Sequence, residues 1–83
     1  MIRAYLFIHL DQNYNGENIL DDVRQITQVR EAYRLYGMYD LVVYMETETT
    51  EELKAATLES IRKLQFVEST VTFISLNSYF KSN

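Results

Sequence analysis

Val29-Arg30-Glu31-Ala32-Tyr33-Arg34-Leu35-Tyr36-Gly37-Met38-Tyr39-Asp40-Leu41-Val42-Val43-Tyr44-Met45-Glu46 is the stretch from which the fold can be read. Val29 to Tyr36 and Tyr39 to Glu46 are rich in β-branched and aromatic residues, and only Gly37-Met38 separates them, so the segment predicts a β-hairpin turning at Gly37. On its N-terminal side, Ile19, Leu20, Val23 and Ile26 keep the spacing of one helical face while Asp21, Asp22, Arg24 and Gln25 point outward. Asn15 is the expected N-cap, Glu17 falls in the first turn where the helix dipole favours an acid, and the helix ends near Thr27. On its C-terminal side, Thr49-Thr50-Glu51-Glu52 has the form of a capping box, with Thr49 as N-cap and Glu52 reaching back to its amide. That second helix runs to about Leu64, with Leu53, Thr57, Leu58, Ile61 and Leu64 inward.

The ends of the chain supply the remaining strands. In Ile2 to Leu10 the apolar residues Ile2, Ala4, Leu6, Ile8 and Leu10 alternate with Arg3, Tyr5, Phe7 and His9, which is a strand with two largely apolar faces. Val67 to Leu76 is the last strand, and Asn77 to Asn83 a polar tail carrying Tyr79 and Phe80. The order β, α, β, β, α, β predicts an α+β ferredoxin-like βαββαβ sandwich, a four-stranded antiparallel sheet with both helices on one face. The halves echo each other: Val23-Arg24-Gln25-Ile26 leading to Val29 matches Ile61-Arg62-Lys63-Leu64 leading to Val67, as a duplicated unit would.

Two helices cover one face of such a sheet. Tyr5, Phe7, Val42, Tyr44, Val71 and Phe73 fall on the other, an apolar area that marks an interaction site, and pairing of two copies sheet to sheet across a two-fold axis, as a dimeric α/β barrel, is the expected cover. Size points the same way. A chain of 83 residues without cysteine has a small core and no disulfide or thiolate-bound metal to support it, which leaves oligomerisation.

Several functions are disfavoured by composition. The net charge is −4 and the eight basic residues are scattered, whereas a nucleic-acid footprint needs them clustered, so no direct nucleic-acid contact is expected. No apolar run approaches the roughly 20 residues that span a bilayer, and the opening segment lacks a signal-peptide cleavage site, so a cytoplasmic protein with no membrane contact is expected. Asp11, Glu17, Asp21 and Asp22 lack the spacing of a calcium loop, and neither a metal nor another cofactor is expected. There is no nucleophile with a paired base, no phosphate loop and no dinucleotide fingerprint. His9 with Tyr5 and Tyr44 would be the candidates for a small ferredoxin-like enzyme of monooxygenase or isomerase type, working in a cavity between sheet and helices.

The stretch from Val29 to Val43 resembles the middle of the effector domain of Lrp/AsnC-type regulators, also called RAM, in its Val-x-x-Ala-x-x-x-x-Gly-x-x-Asp-Leu pattern. The resemblance extends from about Arg3 to Leu76 through the second helix, the Val67 onset and the strand Ser69-Thr70-Val71-Thr72-Phe73-Ile74. It implies that residues 1–76 form an effector-binding and oligomerisation domain, with 77–83 as a tail. With Met1 opening directly onto the first strand, the chain is expected to be similar to the stand-alone members, which lack a helix-turn-helix. The resemblance further implies a homodimer that assembles into a higher oligomer of dimers. Such an assembly is expected to bind free amino acids or similar small metabolites between dimers and to act on regulation through partner assembly, including full-length Lrp/AsnC regulators. Carried onto this chain, the ligand-binding loop is Gly37, Met38, Tyr39 and Asp40, with Tyr36 beside it and Glu68, Thr70 and Thr72 contributed by the last strand. The chemistry fits: a glycine loop can offer amides to a carboxylate, an ionised Asp40 can accept from an ammonium group, and threonine hydroxyls can orient the ligand. A structural adaptor that only joins regulators would share every one of these features except ligand binding.

Overall fold

The computed structural model describes residues 1–14 and 17–81. Strand β1 spans Ile2–Leu10, helix α1 Ile19–Arg24, β2 Val29–Arg34, β3 Leu41–Thr47, α2 Thr50–Ala55 with a π-helical continuation over Ala56–Ile61, and β4 Val67–Ile74. The sheet order is β2-β3-β1-β4 and every pairing is antiparallel. This is the ferredoxin-like sandwich that the element order predicts.

The core follows from the pleat of β1. Ala4, Leu6 and Ile8 are fully buried and face Leu41, Val43 and Met45 of β3, which are fully buried too. Against this floor lie Ile19 and Val23 of α1 and Leu53, Ala56 and Ile61 of the second helix. Each large aliphatic side chain so buried contributes roughly 1.5–3 kcal/mol.

The two halves join helix to strand in the same way. Ile26 donates its amide to the Val23 carbonyl and Val29 to that of Ile26, both at 3.0 Å; Leu64 donates to Ile61 and Val67 to Leu64, both at 3.1 Å. The repeated apolar spacing in the sequence is therefore a repeated pair of turns, each delivering the chain onto a strand.

Several boundaries differ from the expectation. Helix α1 begins at Ile19 with Asn18 in the capping position and no side-chain cap bond; Asn15 lies outside the described residues, and Glu17 sits in the turn before the helix. Leu20 is 40% exposed, because so short a helix turns Ile19 and Val23 to the sheet and carries Leu20 round to the flank. Thr49 caps α2 by accepting the Glu52 amide at 3.1 Å, but the Glu52 carboxylate reaches the amide of Glu48 at 2.8 Å, one residue further back than expected. The second helix ends at Ile61, where the Arg62 amide bonds the Thr57 carbonyl at 3.0 Å in i→i+5 fashion. Leu58, expected inward, is 51% exposed on this widened turn. At the ends of the hairpin, β2 stops at Arg34 and β3 starts at Leu41, so the connection is a six-residue loop, not a two-residue turn. β4 likewise ends at Ile74, and Ser75 makes one further bond to the Arg3 carbonyl at 2.8 Å.

Ile61→Ala should cost about 2–5 kcal/mol in urea unfolding, the cavity term included, whereas Thr49→Ala should cost about 1 kcal/mol, the worth of one cap.

Candidate functional site

The hairpin loop is built on Asp40. Its amide donates to the Ile8 carbonyl at 3.0 Å, its carbonyl accepts the Leu35 amide at 2.9 Å, and its Oδ2 accepts the Leu10 amide at 2.8 Å. One residue thus closes the base of the loop and ties it to the end of β1, using one of its two carboxylate oxygens. From this base the tip projects into solvent: Tyr36 is fully exposed and Met38 is 81% exposed. Gly37 has φ of 157°, and no heavy atom lies within 4 Å of where a Cβ would stand. Glycine serves backbone conformation here, not close packing.

Tyr39 leaves the ladder for a reason visible in its contacts. Its ring lies 4.6 Å from that of His9 and 5.4 Å from that of Phe7, so it folds onto the sheet face opposite the helices. That face carries Arg3, Tyr5, Phe7 and His9 of β1, flanked by Val42 and Tyr44 of β3 and by Val71 and Phe73 of β4. Tyr5 meets Tyr44 at 5.0 Å and Phe7 meets Phe73 edge-on at 5.7 Å, a geometry that aromatic pairs favour. Tyr33 joins them opposite Val42 and is 55% exposed. Sequence reading missed Tyr33, although a hairpin centred on Gly37-Met38 sets that pairing.

Glu46 organises one end of the face. It accepts the Tyr44 hydroxyl at 2.7 Å and faces the Arg30 guanidinium at 3.5 Å. Burial on the face, then the hydrogen bond to Glu46 and its negative charge, push the Tyr44 phenol up to about 12.

The residues expected to bind a ligand do not converge within one protomer. Tyr36, Gly37 and Met38 form the loop tip, Tyr39 lies on the helix-free face, and Asp40 is at the loop base. Glu68 sits at the register shift where β4 meets the end of β1, while Thr70 and Thr72, opposite Ile8 and Leu6, share the helix-facing side. Thr72 lines an apolar groove of about 360 Å³ with Leu53, Thr57, Leu58 and Ile74. The clefts described on the surface do not include the loop residues 36 to 40. The three candidates for catalysis, His9, Tyr5 and Tyr44, share the helix-free face and not the interior between sheet and helices. Among the described residues no group of three or more His, Asp or Glu side chains is placed to hold a metal ion, and no helix is long and apolar enough to cross a membrane.

A ferredoxin-like sandwich with a bare aromatic face and a pinned Gly-x-x-Asp loop defines the class. The Lrp/AsnC ligand binding domain model matches residues 3–83, and the chain belongs to that family. Among solved structures, FFRP-DM1 is 31% identical over 92% of this chain and all of its own, with a TM-score of 0.83. TTHA0845 from Thermus thermophilus is 30% identical over 98% of this chain and all of its own, with a TM-score of 0.86. Escherichia coli AsnC shares the fold at 20% identity and a TM-score of 0.88, and the match covers 99% of this chain but 55% of that protein. No curated protein sequence matches the chain.

The Tyr44 shift can be measured. The difference in phenolate absorbance between the native protein and Tyr44→Phe should titrate near pH 12, against 10.0 for an ordinary tyrosine. Because the folded state holds this proton above the unfolded value, the associated stability is fully present below pH 10 and falls as pH rises towards 12. Tyr44→Phe should flatten that part of the stability curve.

Proposed function

We propose that this chain is an amino-acid-responsive assembly domain: two copies pair through their helix-free faces, and a free amino acid or similar small metabolite binds between such dimers at the Gly37–Asp40 loop. The observation that carries the reading is the division of the expected ligand groups over separate surfaces of one protomer. A site using both the loop and the Thr70 and Thr72 hydroxyls needs more than one chain. Occupancy then changes the assembly through its differential affinity for the assembled state. The output is partner choice, full-length Lrp/AsnC regulators included, and not direct DNA contact. A regulator from Neisseria meningitidis with the same fold, 13% identical with a TM-score of 0.86, is described as a complex with L-Met, which supports a free amino acid as the class of ligand.

The loop chemistry supports the same reading. Amides around Gly37 can hold a carboxylate, and Asp40 keeps an oxygen beyond the one bonded to Leu10 for an ammonium group.

A thermal-shift screen of the twenty amino acids, run with light-scattering mass, tests this. A ligand at a hundred times its dissociation constant adds about 2.7 kcal/mol, and at roughly 4–8 °C per kcal/mol for a domain of this size the midpoint rises on the order of 10 °C. Thr70→Val should keep the fold and lose much of that shift. Asp40→Ala should lose it too, and should also lower stability by about 1–3 kcal/mol because the Leu10 amide is left without its acceptor. An unresponsive protein with a mass above a dimer would instead support a structural adaptor.

The face pairing has its own test. Phe73→Glu puts a charge on an exposed position of the face, so the isolated fold should survive while light scattering reports loss of the sheet-to-sheet dimer. Unchanged mass would remove that face from the interface.

A further inference from the structure

The π-helical turn over Ala56–Ile61 sends an aliphatic side chain away from the core. Leu58 is 51% and Ile74 48% exposed, and with Leu53 they wall the groove of about 360 Å³ between the second helix and β4. That volume falls among those of small-molecule pockets. Turns of the π type recur at functional sites, where they move a residue off the regular helical face.

Thr57 and Thr72 line the same groove, one from the helix and one from the strand. Thr72 is among the groups expected to hold a ligand. Thr57 Oγ1 is buried and has no hydrogen-bond partner among the described residues, although a buried hydroxyl without a partner costs stability. A helical threonine has two accessible side-chain rotamers, so this hydroxyl can turn to a bound molecule. Lys54 is the one ionisable residue among those described along the groove, and it is exposed and in no ion pair with the described residues.

We propose, resting on the reading above that a free amino acid binds this chain, that the groove receives the side chain of the amino acid held at Thr72. The effector is then one with an uncharged aliphatic or aromatic side chain of leucine size or larger. Leu53, Leu58 and Ile74 select it by apolar burial, each methylene taken from water being worth roughly fourfold in affinity. Alanine leaves the groove unfilled. The side chain of a glutamate ligand would lose its hydration between apolar walls, and pairing with an exposed Lys54 returns little of that cost. A lysine ligand meets the same cost and the Lys54 charge besides. Thr57 adds a hydroxyl to that of Thr72 for the polar atoms of the ligand.

Calorimetric titration of the full chain with alanine, leucine, methionine, phenylalanine, glutamate and lysine tests this, with Thr70→Val titrated in parallel. Leucine should bind on the order of fifty times more tightly than alanine, methionine and phenylalanine should bind as well, and glutamate and lysine should bind no better than alanine. Leu58→Ser, at a half-exposed position, should keep the fold and narrow the leucine-to-alanine ratio roughly tenfold, while Leu58→Met should preserve it. Binding that is lost in Thr70→Val but is strongest for alanine, glutamate or lysine would overturn the inference and leave the amino-acid reading standing. So would a leucine-to-alanine ratio unchanged in Leu58→Ser. Binding of none of the six by the unaltered protein would overturn the inference and count against the amino-acid reading with it. If Leu58→Ser does not fold, the ligand series on the unaltered protein decides.

Discussion

The whole molecule depends on a strand that is apolar on both faces and paired on both sides. β1 holds β3 on one flank and β4 on the other, burying Ala4, Leu6 and Ile8 beneath the helices while Tyr5, Phe7 and His9 point the opposite way. A chain of this length has two helices to spend, and both lie on one face. The other face keeps its aromatics, which pair with each other but remain partly in water. The stability of the single chain and the exposure of its aromatic face have one origin in the two-residue repeat of this strand.

Strong periodicity made most of the fold legible. Alternation in β1, the hairpin register and the repeated Val23–Ile26–Val29 and Ile61–Leu64–Val67 spacing each correspond to a feature of the structure, because each is a local pattern with one low-energy arrangement. The boundaries were less legible where tertiary contacts compete with local preference. Tyr36 and Tyr39 have strand-forming side chains, but Asp40 bonds to β1 and Tyr39 gains ring contacts with Phe7 and His9, so the ladder stops short of both. Leu58 has the right chemistry for the core, and the π-helical turn, which no residue type announces, leaves it at the surface.

The candidate site was legible in part, for a different reason. Gly37 and Asp40 could be placed on one loop, and their roles in its geometry follow from the bonds that Asp40 makes. The separation of that loop from Thr70 and Thr72 could not be seen in spacing, because it depends on the strand order, which puts β4 at the edge of the sheet away from β2. Asp40 also proves to have a structural duty. It holds the Leu10 amide, so its effect on any ligand cannot be separated from its effect on the end of β1 without a second variant such as Thr70→Val.

That double duty bears on how a signal would travel. Asp40 bonds directly to the backbone of β1, and Tyr39, its neighbour, rests on Phe7 and His9 of the helix-free face. A ligand that ordered the loop would act one residue from an aromatic ring that belongs to the face, with no intervening element to absorb the change. Under the proposed function this is the physical link between occupancy and assembly. The loop conformation and the packing of the face share Tyr39, so a ligand favouring one position of that ring also favours one geometry of the contact between copies, and by linkage the assembled form must bind the ligand more tightly to the same degree.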